Sequence, residues 1–249
     1  MQIPALAGLI LIFFSIILLI GLFLLKDRVK ASFRDIPAFT KFNSALGTAV
    51  EDGSRIHFSL GESSVAGSRT AVSFASLDIL RQSAELSASS DKAPIATSGD
   101  SALAILSQDS LKTAYHVVGA NQQYSITSGR LTGLTPFSYA AGTIFTIYDE
   151  DISANILAGG FGVEVGLLSD AAERTHSFTL AGTDTLPAQA VLYAGANETL
   201  IGEELYASGA YLKTGRAHLV SLYVQDILRW IIVGALIVGA GMKLLAGLL

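Results

Sequence analysis

The sequence predicts an α/β protein, a Rossmann-like three-layer domain with a mostly parallel sheet, flanked by N- and C-terminal transmembrane helices. Three observations carry that reading. Both ends are long apolar stretches, 3–25 and 230–249. Between them, short apolar runs ending in small residues and Gly recur at 58–61, 96–99, 126–129, 157–160 and 180–183. A segment with helical spacing follows most of them, and strands alternating with helices imply a parallel sheet covered on both faces.

The first 25 residues contain no charged side chain, and Lys26-Asp27-Arg28-Val29-Lys30 closes the run. A helix over 4–25 would be about 33 Å long at roughly 1.5 Å per residue, enough for a bilayer core of about 30 Å. No basic residue precedes the run and no small-residue cleavage pattern follows it, so it reads as a retained anchor rather than a signal peptide. The basic exit places residue 26 onward on the cytoplasmic side.

Asp35-Ile36-Pro37 has the composition of a helix start, with a capping acid and Pro in the first turn. Ile36, Phe39, Phe42, Leu46 and Val50 then recur at helical spacing, predicting an amphipathic helix within a basic juxtamembrane segment, 26–54. Its Phe-rich face suits packing on the following domain, with lipid contact as the alternative.

The α/β domain is expected over 55–216, with helices at 70–86, 101–118, 135–148, 162–174 and 185–194. The last element, 217–249, reads as one breaker-free helix that continues into the second span, with Trp230 and Arg229 at the interface. Both termini then lie outside.

Composition narrows the function. Only 15% of residues are charged, against about 25% in soluble domains, as membrane segments and buried strands require. A net charge of −5 gives no reason to expect nucleic acid. The chain has no cysteine, which excludes disulfides, thiolate metal sites and cysteine nucleophiles. Four scattered histidines, His57, His116, His176 and His218, form no ligand spacing, and the acidic triplet Asp149-Glu150-Asp151 reads as a loop. No phosphate-loop, nucleophile-elbow or EF-hand motif is present. No metal, cofactor or catalytic group is therefore expected, and the balance leans away from an enzyme.

Two patterns remain. Gly160, Gly162 and Gly166 lie between a predicted strand and helix, with Asp184 22 residues after Gly162. This approximates a dinucleotide fingerprint, one residue too long and in the fourth unit rather than the first, so tight backbone packing competes with cofactor binding. In the second span Ala235, Gly239, Lys243 and Gly247 recur every four residues, a spacing that lets membrane helices approach closely. An antiparallel hairpin would set Gly21 level with Gly234. Lys243 would snorkel outward, pair at an oligomer interface or face a pore.

At Phe33-Arg34-Asp35-Ile36-Pro37-Ala38-Phe39 and from Ala49-Val50-Glu51-Asp52-Gly53 through Phe58, the chain resembles an uncharacterised bacterial membrane-protein family of unknown function. The resemblance implies terminal spans around a cytosolic region in a bacterial cell membrane, and no catalytic or cofactor residues. The expected function is a membrane-anchored, self-assembling scaffold whose partners are the bilayer and further copies of itself. A membrane-tethered nucleotide- or anion-binding sensor, or an enzyme with an unrecognised site, is the alternative.

Overall fold

The computed structural model describes residues 3–24, 34–88, 90–212 and 216–248. The basic exit Lys26, Arg28 and Lys30 lies outside the described residues. The chain divides into two compact units, one from the two ends and one comprising Asp35–Leu212.

The α/β unit holds six parallel strands: β1 (Arg55–Gly61), β2 (Ile95–Ser98), β3 (Gly129–Leu131), β4 (Ile152–Gly160), β5 (Phe178–Gly182) and β6 (Glu198–Leu200). They lie in the order β3-β2-β1-β4-β5-β6, that of doubly wound Rossmann domains, with the reversal between β1 and β4. On one face lie α2 (Pro37–Glu51), α3 (Thr70–Ser87), α4 (Ser101–Val117) and α8 (Glu204–Tyr211). On the other lie α5 (Pro136–Asp149), α6 (Val165–Arg174) and α7 (Leu186–Gly195). The layers follow from strand alternation: Ile56, Phe58 and Leu60 of β1 enter the first core, while His57 and Ser59 point under α5.

Helix α2 packs on this unit. Pro37 opens it, Ile36 rather than Asp35 holds the cap position, and no side chain caps it. Its buried residues Phe39, Phe42 and Leu46 join the first core, and Phe39 stacks on Tyr211 at 5.0 Å. Lys41 pairs with Glu198 where β6 begins. Both ends of the unit thus meet near the amino ends of the last strands.

Three further details differ from the sequence expectation. The run at 126–129 is a short 3-10 turn, Ile126–Ser128, and the strand starts at Gly129, where the run was expected to end. The reason is local: Ser125 caps the turn, its Oγ accepting from Thr127 N at 3.3 Å. Strand β6 and helix α8 had no predicted counterpart. The acidic triplet forms the expected turn between α5 and β4, with Asp149 and Asp151 exposed, Asp151 paired with Lys92, and Glu150 bridging Arg55 and Arg130 at 3.2 and 2.7 Å.

The other unit contains α1 (Ile3–Leu24) and α9 (Arg216–Leu248), which pack along each other. One stretch, His218–Leu244 of α9, is long and apolar enough to cross a bilayer, and the most apolar 18 residues within it bury no side chain. In α1 the apolar stretch Gly8–Leu24 is shorter. Its one polar side chain, Ser15, bonds back to Leu11 O at 2.7 Å, which suits an apolar surrounding.

Candidate functional site

In an open α/β sheet, ligands bind outside the carboxyl ends of the strands where the order reverses. Here that is the β1/β4 boundary, and the sequence closes it tightly. Gly61 adopts φ +76, and a Cβ there would lie 2.4 Å from Gly160 O. A Cβ at Gly159 would lie 2.0 Å from Leu60 O. Glu62 N then donates to Gly160 O at 3.0 Å, which carries the pairing past the end of β1. The glycines at this edge serve strand–strand contact.

Arg69, at the end of the β1–α3 loop, lies across this boundary. Its Nε donates to Asp184 Oδ2 at 2.8 Å, its Nη2 donates to Asp184 Oδ1, and Nη2 also reaches Phe161 O at 3.4 Å. One guanidinium therefore ties together the loops after β1, β4 and β5. The bidentate bond to Asp184 raises the Arg69 pKa, burial opposing it, so the residue is a permanent cation. Two further carboxylates stand close. Glu164 is buried, and Gly162 N donates to its Oε1 at 2.6 Å. Glu62 is half-buried, and its carboxylate forms no hydrogen bond or ion pair among the described residues. Its pKa is raised by burial first and by the Glu164 charge second, with Arg69 pulling the other way.

Beneath the edge, under α5, runs a buried polar chain. His57, fully inaccessible, places Nδ1 2.8 Å from Asn155 Oδ1 and Nε2 2.9 Å from Thr97 Oγ1. The amide oxygen only accepts, so Nδ1 carries the proton and Nε2 accepts from the Thr97 hydroxyl. Asn155 Nδ2 donates to Ser177 Oγ at 2.7 Å. The Tyr139 hydroxyl meets Ser59 Oγ at 2.5 Å and accepts from Gly61 N at 3.3 Å, which connects this chain to the edge. Burial lowers the His57 pKa to about 4, the Asn155 bond opposing it, and burial raises that of Tyr139. Both are neutral and fully partnered, the arrangement of a rigid internal network.

The structure brings some of the residues singled out by sequence together. Gly160 and Asp184 are joined through Arg69, since a Cβ at Gly160 would meet Ser63 at 2.5 Å and Arg69 Nη2 at 2.9 Å. Gly162 is engaged by Glu164, where a phosphate on the N-terminus of α6 would otherwise sit. Gly166 faces α7, where a Cβ would lie 2.9 Å from Val191. Sequence reasoning missed Arg69, Glu62 and Glu164. An Arg immediately before a helix, and acids one residue after Gly61 and two after Gly162, were the available signals. Asp100 caps α4, its Oδ1 accepting from Leu103 N at 2.9 Å. Among the described residues, no group of three or more His, Asp or Glu could hold a metal ion.

In the unit of the two terminal helices a Cβ at Gly8, Gly21, Gly234, Gly239 or Gly241 would meet nothing within 4 Å. Gly21 and Gly234 are thus not in contact, and Gly239, on the small-residue face of α9, has open space beside it. Lys243 is exposed beside it, and Gly247 lies in the last turns of α9.

No curated protein and no solved structure matches this chain. A family model described as Domain of unknown function (DUF6754) matches residues 3–248. Nearly the whole chain is covered, and it belongs to that family.

Proposed function

We propose that this protein is a membrane-anchored scaffold: two spans, α1 and α9, hold a cytoplasmic α/β domain, and copies assemble through the small-residue face of α9. The observation that supports this reading is the openness of that face. On that face Gly239 has free space, as Gly234 and Gly241 do on the other side of a helix whose most apolar 18 residues bury no side chain, whereas Gly61, Gly159 and Gly160 in the α/β unit are filled by close neighbours. Small residues left open on a membrane helix suit approach by another helix. Native mass spectrometry of the detergent-solubilised chain tests it. A homo-oligomer is expected, and Gly239→Leu should shift it toward monomer. A strict monomer that the substitution leaves unchanged removes the reading.

A second reading, a membrane-tethered sensor of a nucleotide or small anion, is favoured by the strand order and the Arg69 cation at the reversal. It requires the ligand to displace Asp184 and Glu164 from their present partners. Thermal-shift measurements with nucleotides and inorganic phosphate decide it. Stabilisation that Arg69→Gln abolishes supports sensing, and no shift removes it.

A further inference from the structure

One side of α9 carries a cleft of about 530 Å³, lined by Tyr223, Asp226, Ile227, Trp230 and Ile231. Tyr223, Ile227 and Trp230 recur at i, i+4 and i+7 and so share a face. Asp226 lies three residues after Tyr223 and four before Trp230, beside both. The two rings are set about 10 Å apart along the axis. Helical side chains lean toward the N-terminus, which carries the Trp230 indole back over the turn that holds Asp226. Trp230 is 75% exposed and the Asp226 side chain half-exposed, so both are open to a ligand.

This chemistry suits an organic ammonium group. Two aromatic rings about 10 Å apart admit a cation within about 6 Å of each, the range of a cation–π contact, and the carboxylate supplies its counter-charge. Arg229 follows Asp226 by three residues, a rise of about 4.5 Å, and their charged groups stand 3.6 Å apart. Along α9 the order is therefore aromatic ring and acid, then base, then the uncharged run from Ile231 to Met242. A zwitterionic phospholipid presents the complementary order, with its ammonium outermost, its phosphate next and its acyl chains last. An anionic lipid that lacks the ammonium would leave Asp226 without a counter-charge and set a like charge near it.

We propose that this cleft binds the headgroup of a zwitterionic phospholipid. The ammonium lies between Tyr223 and Trp230 against Asp226, and the phosphate meets Arg229. The assignment rests on the reading of α9 as a span, with Trp230 at the bilayer surface. It does not depend on assembly. At about 100° per residue the cleft faces roughly away from Ala235, Gly239 and Lys243, so lipid on one side and a second helix on the other are compatible.

Trp230 is the sole tryptophan of the chain, so its fluorescence reports on the site directly. The full chain is reconstituted into vesicles of phosphatidylcholine and phosphatidylglycerol, in which one lipid and then the other carries brominated acyl chains that quench indole on contact. At equal mole fraction, quenching should give phosphatidylcholine a relative binding constant at least about threefold higher, the effect of one exposed cation–π contact. Asp226→Asn and Tyr223→Leu, both at accessible positions, should each bring that ratio toward one. Equal quenching by the two lipids, a preference for phosphatidylglycerol, or a ratio unchanged in Asp226→Asn would overturn the headgroup site while leaving the span in place. Soluble phosphocholine that abolishes the preference would assign the cleft to a free ammonium compound and overturn the lipid assignment. Quenching by neither lipid would remove the span itself, and the site with it.

Discussion

His57 lies on β1 with no solvent access, in the middle of a strand whose neighbours on the same face are Thr97 and Asn155. A buried imidazole at this position carries a pH liability with a definite sign. Its folded pKa of about 4 lies below the unfolded value of 6.5, so the unfolded chain takes up the proton first. The contribution of the neutral ring is complete above pH 6.5 and is lost as pH falls toward 4. At about 1.4 kcal/mol per pKa unit this amounts to roughly 3 kcal/mol. Denaturant unfolding between pH 7 and pH 4 should show that loss, and His57→Gln should flatten the profile over the same window. The Arg69–Asp184 pair behaves differently, because its side chains are 31% and 18% exposed. Partial solvent access limits its worth to about 1 kcal/mol despite bidentate geometry. A double-mutant cycle of Arg69→Gln and Asp184→Asn should return a coupling of that order, and a value near zero would show the strap to be slack.

At the scale of elements, the β1/β4 junction sets the sheet. Gly61 needs both a positive φ and the absence of a side chain, since a Cβ would press on the backbone of Gly160. Gly61→Ala is expected to cost at least about 2 kcal/mol, combining left-handed strain with a backbone clash, whereas Gly202→Ala, with open space at φ +59, should cost about half as much or less. Chemical denaturation of both variants makes the comparison. The same junction explains what was legible in the sequence. Strands β1, β2, β4 and β5 end in small residues because close strand contacts demand them there, and that demand is local enough to read. Helix α4 was legible for a similar reason, with Asp100 as its cap and Leu103, Leu111 and Ala114 buried along one side. Strand β6 was not, because Glu198-Thr199-Leu200 is three residues long and owes its conformation to pairing with β5. Nor was the strap: Arg69 and Asp184 are 115 residues apart, and only the strand order brings their loops together. The dinucleotide-like glycines were visible as a spacing, yet each has an internal neighbour that no spacing reveals, Arg69 for Gly160, Glu164 for Gly162 and Val191 for Gly166.

For the whole molecule, the division into two units makes a prediction about where the α/β unit can be cut. Both apolar cores lie within Ile36–Leu212. Helix α2 is part of that unit, because Phe39, Phe42 and Leu46 are each no more than 3% exposed and belong to the first core. A truncated chain of residues 35–212 should therefore fold in the absence of detergent and unfold in one cooperative transition. Starting instead at residue 55 removes three large apolar side chains, each contributing about 1.5–3 kcal/mol when buried. It also bares the faces of β1 and β4 that α2 covers. A loss of roughly 5 kcal/mol or more is comparable to the whole stability of an ordinary domain, so the shorter chain should aggregate or remain unfolded. Circular dichroism and size-exclusion chromatography of the two truncations distinguish the outcomes. If residues 55–212 fold as stably as 35–212, then α2 is no wall of the core. If neither folds without detergent, the α/β unit depends on the terminal helices for its stability.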